Sequence, residues 1–362
     1  MVATGTMGPM DITDATKNGS TPNQPYAGLS PDLVLDALDS VGLHGDGRLL
    51  ALNSYENRVY QVTLDEALPG ENAGSPSANI VVAKFYRPGR WNDAAIHEEH
   101  AFVQELVERE IPVVAPLVLE GGKTLHEFGG FRFAAYPRCA GRSPEFDNGN
   151  ILEWMGRFVG RIHAVGALRP FAARPTLDIV TFGEEPRAWL IAHDYVPADI
   201  REAWQSVIAQ ALDSVLHCYE RAGDSRLLRL HGDCYAGNVL WIEDGSQRGP
   251  HFVDFDDSRM GPAVQDLWML LSGDRSAMTR QLSDVLAGYE DFFEFNPREL
   301  HLVEALRTLR LIHYSAWLAR RWDDPAFPLA FPWFNTQRYW QDRILELREQ
   351  IALMDEPPLL ST

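Results

Sequence analysis

The stretch His231-Gly232-Asp233-Cys234-Tyr235-Ala236-Gly237-Asn238, followed by Phe252-Val253-Asp254, has residue types and spacing suited to phosphoryl transfer. An alcohol attacking a γ-phosphate needs an acceptor for its proton, and the nucleotide needs cations because its own charge repels the attacker. Asp233 is the candidate acceptor. Asn238 offers a neutral oxygen and Asp254 an anionic one, hard ligands of the kind Mg2+ takes while it keeps waters and phosphates. Gly232 and Gly237 permit the loop to bend so that both side chains face one cavity. Asp and Asn also cap turns without doing chemistry, but that reading requires three separately placed metal-compatible groups to coincide.

Elements must position these groups. Short apolar runs at Leu227 to Leu230, Val239 to Ile242 and His251 to Val253, with Asp244-Gly245 as a turn, predict a small antiparallel platform carrying the carboxylates at its strand ends. Upstream, Asn79 to Tyr86 reads as an apolar strand that presents Lys84 for the α- and β-phosphates. Taken alone, Lys84 reads as a solvated edge-strand residue. In an apolar strand it needs a carboxylate partner. Glu98 and Glu99 compete for that role; Glu99 shares the stripe of Phe102 and Leu106, which favours it.

The His-Gly-Asp loop resembles the aminoglycoside phosphotransferase and choline kinase branch of the protein-kinase-like fold. Leu52 to Tyr60, Lys84-Phe85-Tyr86-Arg87-Pro88, Leu230 to Asn238, Gly261 to Leu271 and Arg321 to Pro328 are more specifically similar to the bacterial stress response kinases of that branch. The similarity runs from about Leu29 to Leu359. It implies an α+β bilobal protein-kinase-like fold, with a small β-rich N-lobe and a larger, mostly helical C-lobe. It also implies a cytoplasmic serine/threonine protein kinase that uses ATP and Mg2+ in a stress response. The family's proton acceptor falls on Asp233, its metal ligands on Asn238 and Asp254, its ATP-contacting serine on Ser54 and its phosphate-pairing lysine on Lys84.

Departures from ordinary protein kinases are informative. No Gly-x-Gly-x-x-Gly loop exists; Ser54 and the backbone amides of Tyr55 and Glu56 stand in its place as a phosphate cradle. Asp254 is followed by Phe255-Asp256-Asp257 rather than Phe-Gly. Gly232 replaces the arginine before the catalytic Asp, so no guanidinium there waits for a phosphorylated activation loop, and activity without that switch is expected. The hinge is placed at Ala135 to Cys139, with Tyr136 and Arg138 as candidate ATP contacts. Asp266, opening a helix after Gly261-Pro262, is expected to brace the catalytic loop by accepting backbone N–H bonds.

Thirty-two Lys and Arg against fifty-one Asp and Glu give a net charge of −19. Nucleic acid is excluded as a partner on that ground, since a polyanion needs a basic face. Cys139, Cys218 and Cys234 form no Cys-x-x-Cys pair, so a reducing compartment is expected. Beside the catalytic Asp, Cys234 invites a redox reading, but a carboxylate neighbour raises a thiol's pKa and makes a packing role the better one. Neither a secretion signal nor a membrane-length apolar run is present. The expectation is a cytoplasmic monomer acting on a protein substrate.

Residues 1–27 read as a disordered tail, 28–138 as the nucleotide-binding N-lobe, 139–355 as the catalytic C-lobe and 356–362 as a second tail. Within the N-lobe, Ser30 and Pro31 start a helix, strands follow near 51–64, 79–87, 113–119 and 131–136, and a helix lies near 92–109. The C-lobe pattern is helical near 151–162, 199–222, 276–295, 298–322 and 336–354. His163 reads as a hydrogen-bonded packing residue. The aromatic cluster from Trp317 to Trp340 reads as a tail packed on the C-lobe in preference to a cage for a quaternary amine. A small-molecule kinase and a nucleotide-binding pseudokinase remain the competing functions; slow turnover of ATP lost on changing Asp233 removes the second.

Overall fold

The computed structural model describes residues 24–68, 78–243, 245 and 248–359. The predicted N-terminal tail up to residue 23, the polar loop at 70–77, Asp244 and residues 360–362 lie outside the described residues, but residues 24–27, expected to be disordered with it, belong to the smaller lobe: Tyr26 packs on its core and donates its hydroxyl to the Glu56 carbonyl at 2.9 Å.

Strand alternation decides how the smaller lobe is built. Five antiparallel strands, β1 (Gly45–Leu52), β2 (Arg58–Leu64), β3 (Ile80–Phe85), β4 (His126–Phe128) and β5 (Phe131–Pro137), lie in the order β1-β2-β3-β5-β4. Val81, Ala83 and Phe85 of β3 enter a core with Val62, Phe133 and the α1 (Pro31–Asp39) residues Val34 and Leu38. The opposite phase, Val82 and Lys84, lines the cleft between the lobes. Ser30 caps α1 by accepting the Leu33 N–H at 3.2 Å, and Pro31 occupies the first helical position. Helix α2 (Asp93–Glu108) begins where Asn92 accepts the Ala95 N–H, and it buries Ala95, Ile96, Glu99, Phe102, Val103 and Leu106 along one face.

Residues 113–119 are not a strand. Pro112 and Pro116 have no N–H to give a ladder, so the segment makes isolated bonds instead, among them Val114 to the Phe252 carbonyl, Leu117 to that of Ala135 and Leu119 to that of Lys123. The sheet takes its last strand instead from the β4–β5 hairpin, turned at Gly129-Gly130.

The larger lobe is helical: α3 (Gly149–Gly166), α4 (Glu185–Ala192), α5 (Arg201–Ala222), α6 (Val264–Trp268), α7 (Arg275–Tyr289), α8 (Val303–Ala319), α9 (Ala326–Ala330) and α10 (Gln337–Asp355). Contact between α3 and α7 depends on missing side chains: a Cβ at Gly156 would lie 1.9 Å from the Val285 carbonyl oxygen, and one at Gly288 2.0 Å from that of Glu153. Gly156→Ala should therefore lower stability by about 3 kcal/mol, measured by denaturant unfolding. Phe327 and Trp340 are fully buried and Trp204 packs edge-on against Trp340, so the aromatic tail is largely core of this lobe.

The predicted three-strand platform is instead two separate ladders. β6 (Leu227–Arg229) pairs with β9 (Met260–Pro262), and β7 (Val239–Ile242) pairs with β8 (Gly249–Phe252). Residues 230–238 cross between the ladders on one side, and residues 253–259 on the other. No helix of the described residues is long and apolar enough to cross a membrane.

Candidate active site

The loop from His231 to Asn238 is held at three points. Gly232 has φ +87°, and a Cβ there would sit 2.2 Å from the Asp257 carbonyl oxygen, so no larger residue fits the turn. Asp266 accepts the N–H groups of His231 at 2.8 Å and Gly232 at 2.9 Å. Its carboxylate is in turn fixed by His163 Nε2 at 3.1 Å, whose Nδ1 meets the Tyr289 hydroxyl at 2.8 Å. Burial alone would raise the Asp266 pKa, but its bonds to His163 and the Gly232 N–H bring it below the ordinary range. The third point is His231 Nε2, 3.0 Å from the Val253 carbonyl, which ties this loop to the segment bearing Asp254.

Gly237 differs from expectation. Its φ is not positive; a side chain there would instead strike the Tyr235 ring at 2.5 Å.

Asp233 and Asn238 face each other across the short 3-10 turn Ala236–Asn238. Asn238 Nδ2 donates to the Asp233 carbonyl at 2.9 Å and to Oδ2 at 3.1 Å, which commits the amide nitrogen and leaves its oxygen for a cation. The other Asp233 oxygen, Oδ1, accepts from Arg310 at 2.8 Å. Asp254 sits in the left-handed region (φ 59°, ψ 64°), a conformation Asp tolerates better than most residues. That turn carries its half-exposed carboxylate to Lys84, whose Nζ lies 2.9 Å from Asp254 Oδ1 and 3.3 Å from Asp256 Oδ1.

The Lys84–Glu99 ion pair read from the helix stripe is not formed. The stripe places Glu99 correctly in the interior, but Arg174, itself fully buried, reaches it first at 2.8 Å. Lys84 receives its anions from the turn after β8 instead. Burial alone would lower the Lys84 pKa; Asp254, Asp256 and, more distantly, Glu99 drive it well above the ordinary value. Glu98, the other candidate partner of Lys84, accepts the N–H groups of Ala172, Ala173 and Arg174 at 2.7 to 3.0 Å and caps that turn.

Arg174 also donates to the carbonyls of Asp256 and Ser258, both at 2.8 Å. A buried guanidinium thus braces the segment after Asp254 through its backbone, and it comes from the loop after α3 instead of the position before Asp233.

The remaining candidates line one cleft of about 1100 Å³: Ser54, Tyr55, Glu56, Lys84, Glu99, Tyr136, Arg138, Asp233, Asn238 and Asp254. Some are used differently from the sequence reading. The Arg138 N–H donates to the Ile80 carbonyl at 3.3 Å and its Nε to Gln61 at 2.8 Å. The Tyr136 hydroxyl bonds Tyr86 at 3.1 Å. The Glu56 carboxylate is taken up by Arg321 at 2.7 Å and the Trp317 indole N–H at 2.6 Å, two other residues of the cleft wall. Cys234 is fully buried, and burial pushes its thiol pKa well up, in keeping with a packing role.

A charged network that the sequence reading did not assign joins the lobes. Arg87 and Arg58 of the smaller lobe reach Asp324, just before α9, at 3.0 and 3.4 Å. Arg90 pairs with Asp256 and, at 2.8 Å, with Asp257; Arg259 also holds Asp257, at 2.7 Å. Burial disfavours the Asp256 charge, yet Arg90 and Lys84 outweigh it and hold the pKa down to about 2. The signal was present in the strings Lys84 to Pro88 and Arg321 to Pro328, which pair with each other in space. Asp324→Ala should cost about 3 kcal/mol, near the low end for a broken buried pair because Arg87 keeps Glu56 at 3.7 Å. Thermal unfolding measures that loss, and the KM for ATP should rise as the loop between β1 and β2 loosens.

Comparison with known proteins agrees with this geometry. Residues 48–303 match the model of the phosphotransferase enzyme family. Stress response kinase A of Escherichia coli K12 is 42% identical over 334 residues, 92% of this chain and 96% of that protein. A Salmonella typhimurium relative, serine/threonine protein kinase RdoA, shows the same identity and coverage. Among solved structures, the amicoumacin kinase hAmiN in complex with AMP-PNP, Ca2+ and Ami superimposes with a TM-score of 0.65 at 18% identity, covering 89% of this chain and 92% of that one. A microcompartment-associated aminopropanol kinase gives 0.65 at 17%, covering 90% and 97%. With the cleft, the two lobes and these matches in agreement, the chain belongs to the phosphotransferase enzyme family, as an ATP-dependent kinase on its stress response kinase A branch.

Proposed function

We propose that the chain is a Mg2+-dependent serine/threonine protein kinase that acts in the cytoplasm of a bacterium under stress. The observation that carries the protein substrate is the 42% identity, over nearly the whole of both chains, to a relative named serine/threonine protein kinase RdoA. The acceptor hydroxyl loses its proton to Asp233 as its oxygen bonds the γ-phosphorus; the bond to the β–γ bridging oxygen breaks, and ADP leaves with that electron pair. Lys84, drawn from Asp254 and Asp256, holds the α- and β-phosphates. The Asn238 amide oxygen and the Asp254 carboxylate suit Mg2+, a cation that accepts two protein oxygens and completes its shell with phosphates and water. When bound, it neutralises the phosphate charge.

The adenine contact moves from Arg138 to its neighbour. Pro137 has no N–H and that of Arg138 is taken by Ile80, so the Cys139 N–H is the hinge donor. Ser54, with the backbone of Tyr55 and Glu56, covers the phosphates.

The protein-substrate reading is tested by incubating the full chain with γ-labelled ATP, Mg2+ and a bacterial extract, then separating products by size. Label on protein serine or threonine is the expected result. Label confined to a low-mass alcohol replaces the reading with a small-molecule kinase.

A further inference from the structure

The acceptor half of the cleft carries a charge pattern opposite to that of the whole chain. One face of α8, with Arg310, His313, Tyr314 and Trp317 at helical spacing, together with Arg320 and Arg321 of the turn that follows it, lines the cleft and contains no carboxylate. Two of the acidic groups nearby are already matched, while Glu185 lines the same cleft and acts on Arg320 from beyond ion-pair distance. Asp257 lies between Arg90 at 2.8 Å and Arg259 at 2.7 Å, and Glu56 faces Arg321 at 2.7 Å. Arg320 has no carboxylate within ion-pair distance among the described residues; its guanidinium rests over Trp189, 5.3 Å from the ring centre.

Arg310 is the telling member. Its sole ion pair among the described residues is with Asp233, at 2.8 Å, on the oxygen that Asn238 leaves open. An acceptor hydroxyl needs that oxygen. Arg310 must therefore move before the proton can, and a second carboxylate is a strong competing partner for a guanidinium that is nearly half exposed. His313 adds a neutral group to the same face: its ring stacks on Phe182 at 4.1 Å, and its buried Nδ1 has no partner.

Resting on the protein-kinase reading above, we propose that Arg310 determines acceptor specificity, covering Asp233 until an acidic residue beside the target serine or threonine draws the guanidinium away. The preferred substrate is thus a hydroxyl flanked by Asp or Glu, with Arg320 as a second contact for that charge. The chain's net charge of −19 opposes such a substrate at long range. Salt screens that repulsion beyond about 8 Å, whereas the Arg310 contact acts at hydrogen-bond distance and decides the outcome. A polycationic amino sugar, by contrast, would meet the three guanidinium groups of Arg310, Arg320 and Arg321 on this face.

The test compares three serine peptides of equal length, flanked by Asp, by Ala or by Lys, with the wild-type full chain and with Arg310→Gln, Arg310→Lys and Arg320→Gln. Wild type should favour the Asp peptide over the Lys peptide by roughly tenfold or more in kcat/KM, the size of one charge-assisted hydrogen bond. Arg310→Gln should collapse that ratio towards one, chiefly through KM for the Asp peptide, while Arg310→Lys keeps most of it. A merely structural role for Arg310 would not sort its two variants by acceptor charge. Arg320→Gln, at an exposed position, should lower the ratio in part and serves if Arg310→Gln does not fold. Peptide labelling with no acidic preference, or a preference unchanged in both glutamine variants, overturns the inference alone. If no peptide is labelled while ATP is still hydrolysed, the protein-kinase reading falls and takes the inference with it.

Discussion

Asp233→Asn will reduce phosphotransfer by about a thousandfold while leaving nucleotide affinity within a few-fold of wild type. The asparagine keeps the size of the side chain and one oxygen, which can serve Arg310 while the Asn238 amide keeps the Asp233 backbone carbonyl at 2.9 Å, so the loop stays anchored. What it loses is the ability to take a proton. Single-turnover rates with ATP and Mg2+ measure the first quantity, and calorimetric titration with a non-hydrolysable ATP analogue measures the second. Asp254→Asn should separate from it: the anionic Mg2+ ligand is gone, so Mg2+-dependent nucleotide affinity falls as well. Near-wild-type turnover in Asp233→Asn would remove that residue from the reaction.

Lys84→Met carries the second large effect, a loss of roughly a hundredfold in kcat/KM for ATP. The ammonium is buried between two carboxylates, 2.9 Å from Asp254 and 3.3 Å from Asp256, and methionine leaves both without it. Asp256 retains Arg90 and the Asn57 amide, so the fold should survive with reduced stability. Both KM and kcat should suffer, because a cation that binds the phosphates also orients them. Asp256→Asn should reproduce part of the defect. Glu99→Gln should have a smaller effect than the helix stripe suggested, since Arg174 keeps three backbone carbonyls when the carboxylate is lost. Glu98→Ala, by contrast, should destabilise the turn at 172–174 by leaving three N–H groups without their acceptor. Steady-state kinetics and thermal unfolding on this set measure both effects.

What could be read from the sequence was local. Asp233, Asn238 and Asp254 lie within one loop–ladder–loop segment, so their spacing alone brings them together. The period of β3 places Lys84 on the cleft face, and that of α2 places Glu99 inside. Periodicity says which way a residue points but not what meets it there. Arg174 comes from an irregular stretch with no repeating pattern, and its arrival at Glu99 redirects Lys84 to the acidic turn. Arg310 was hidden for the opposite reason. It lies on the polar side of a helix whose buried positions are Leu306, Leu309 and Ile312, where a solvated arginine is the ordinary expectation. Strand β9 is only three residues long and contains Gly261 and Pro262, too short to show alternation, and so the partner of β6 was not seen. Residues 113–119 looked like a strand by composition, but their prolines deny it a ladder.

The central claim is that the loop bearing Asp233 passes the γ-phosphate of ATP to a protein hydroxyl, and acid-stable labelling tests it most directly. Wild type and Asp233→Asn are each incubated with γ-labelled ATP, Mg2+ and protein from cells lacking the active kinase, and the labelled amino acids are then identified. The account predicts phosphoserine or phosphothreonine with wild type and none above background with the variant. Equal labelling by both proteins, or none by either while nucleotide still binds, would contradict it.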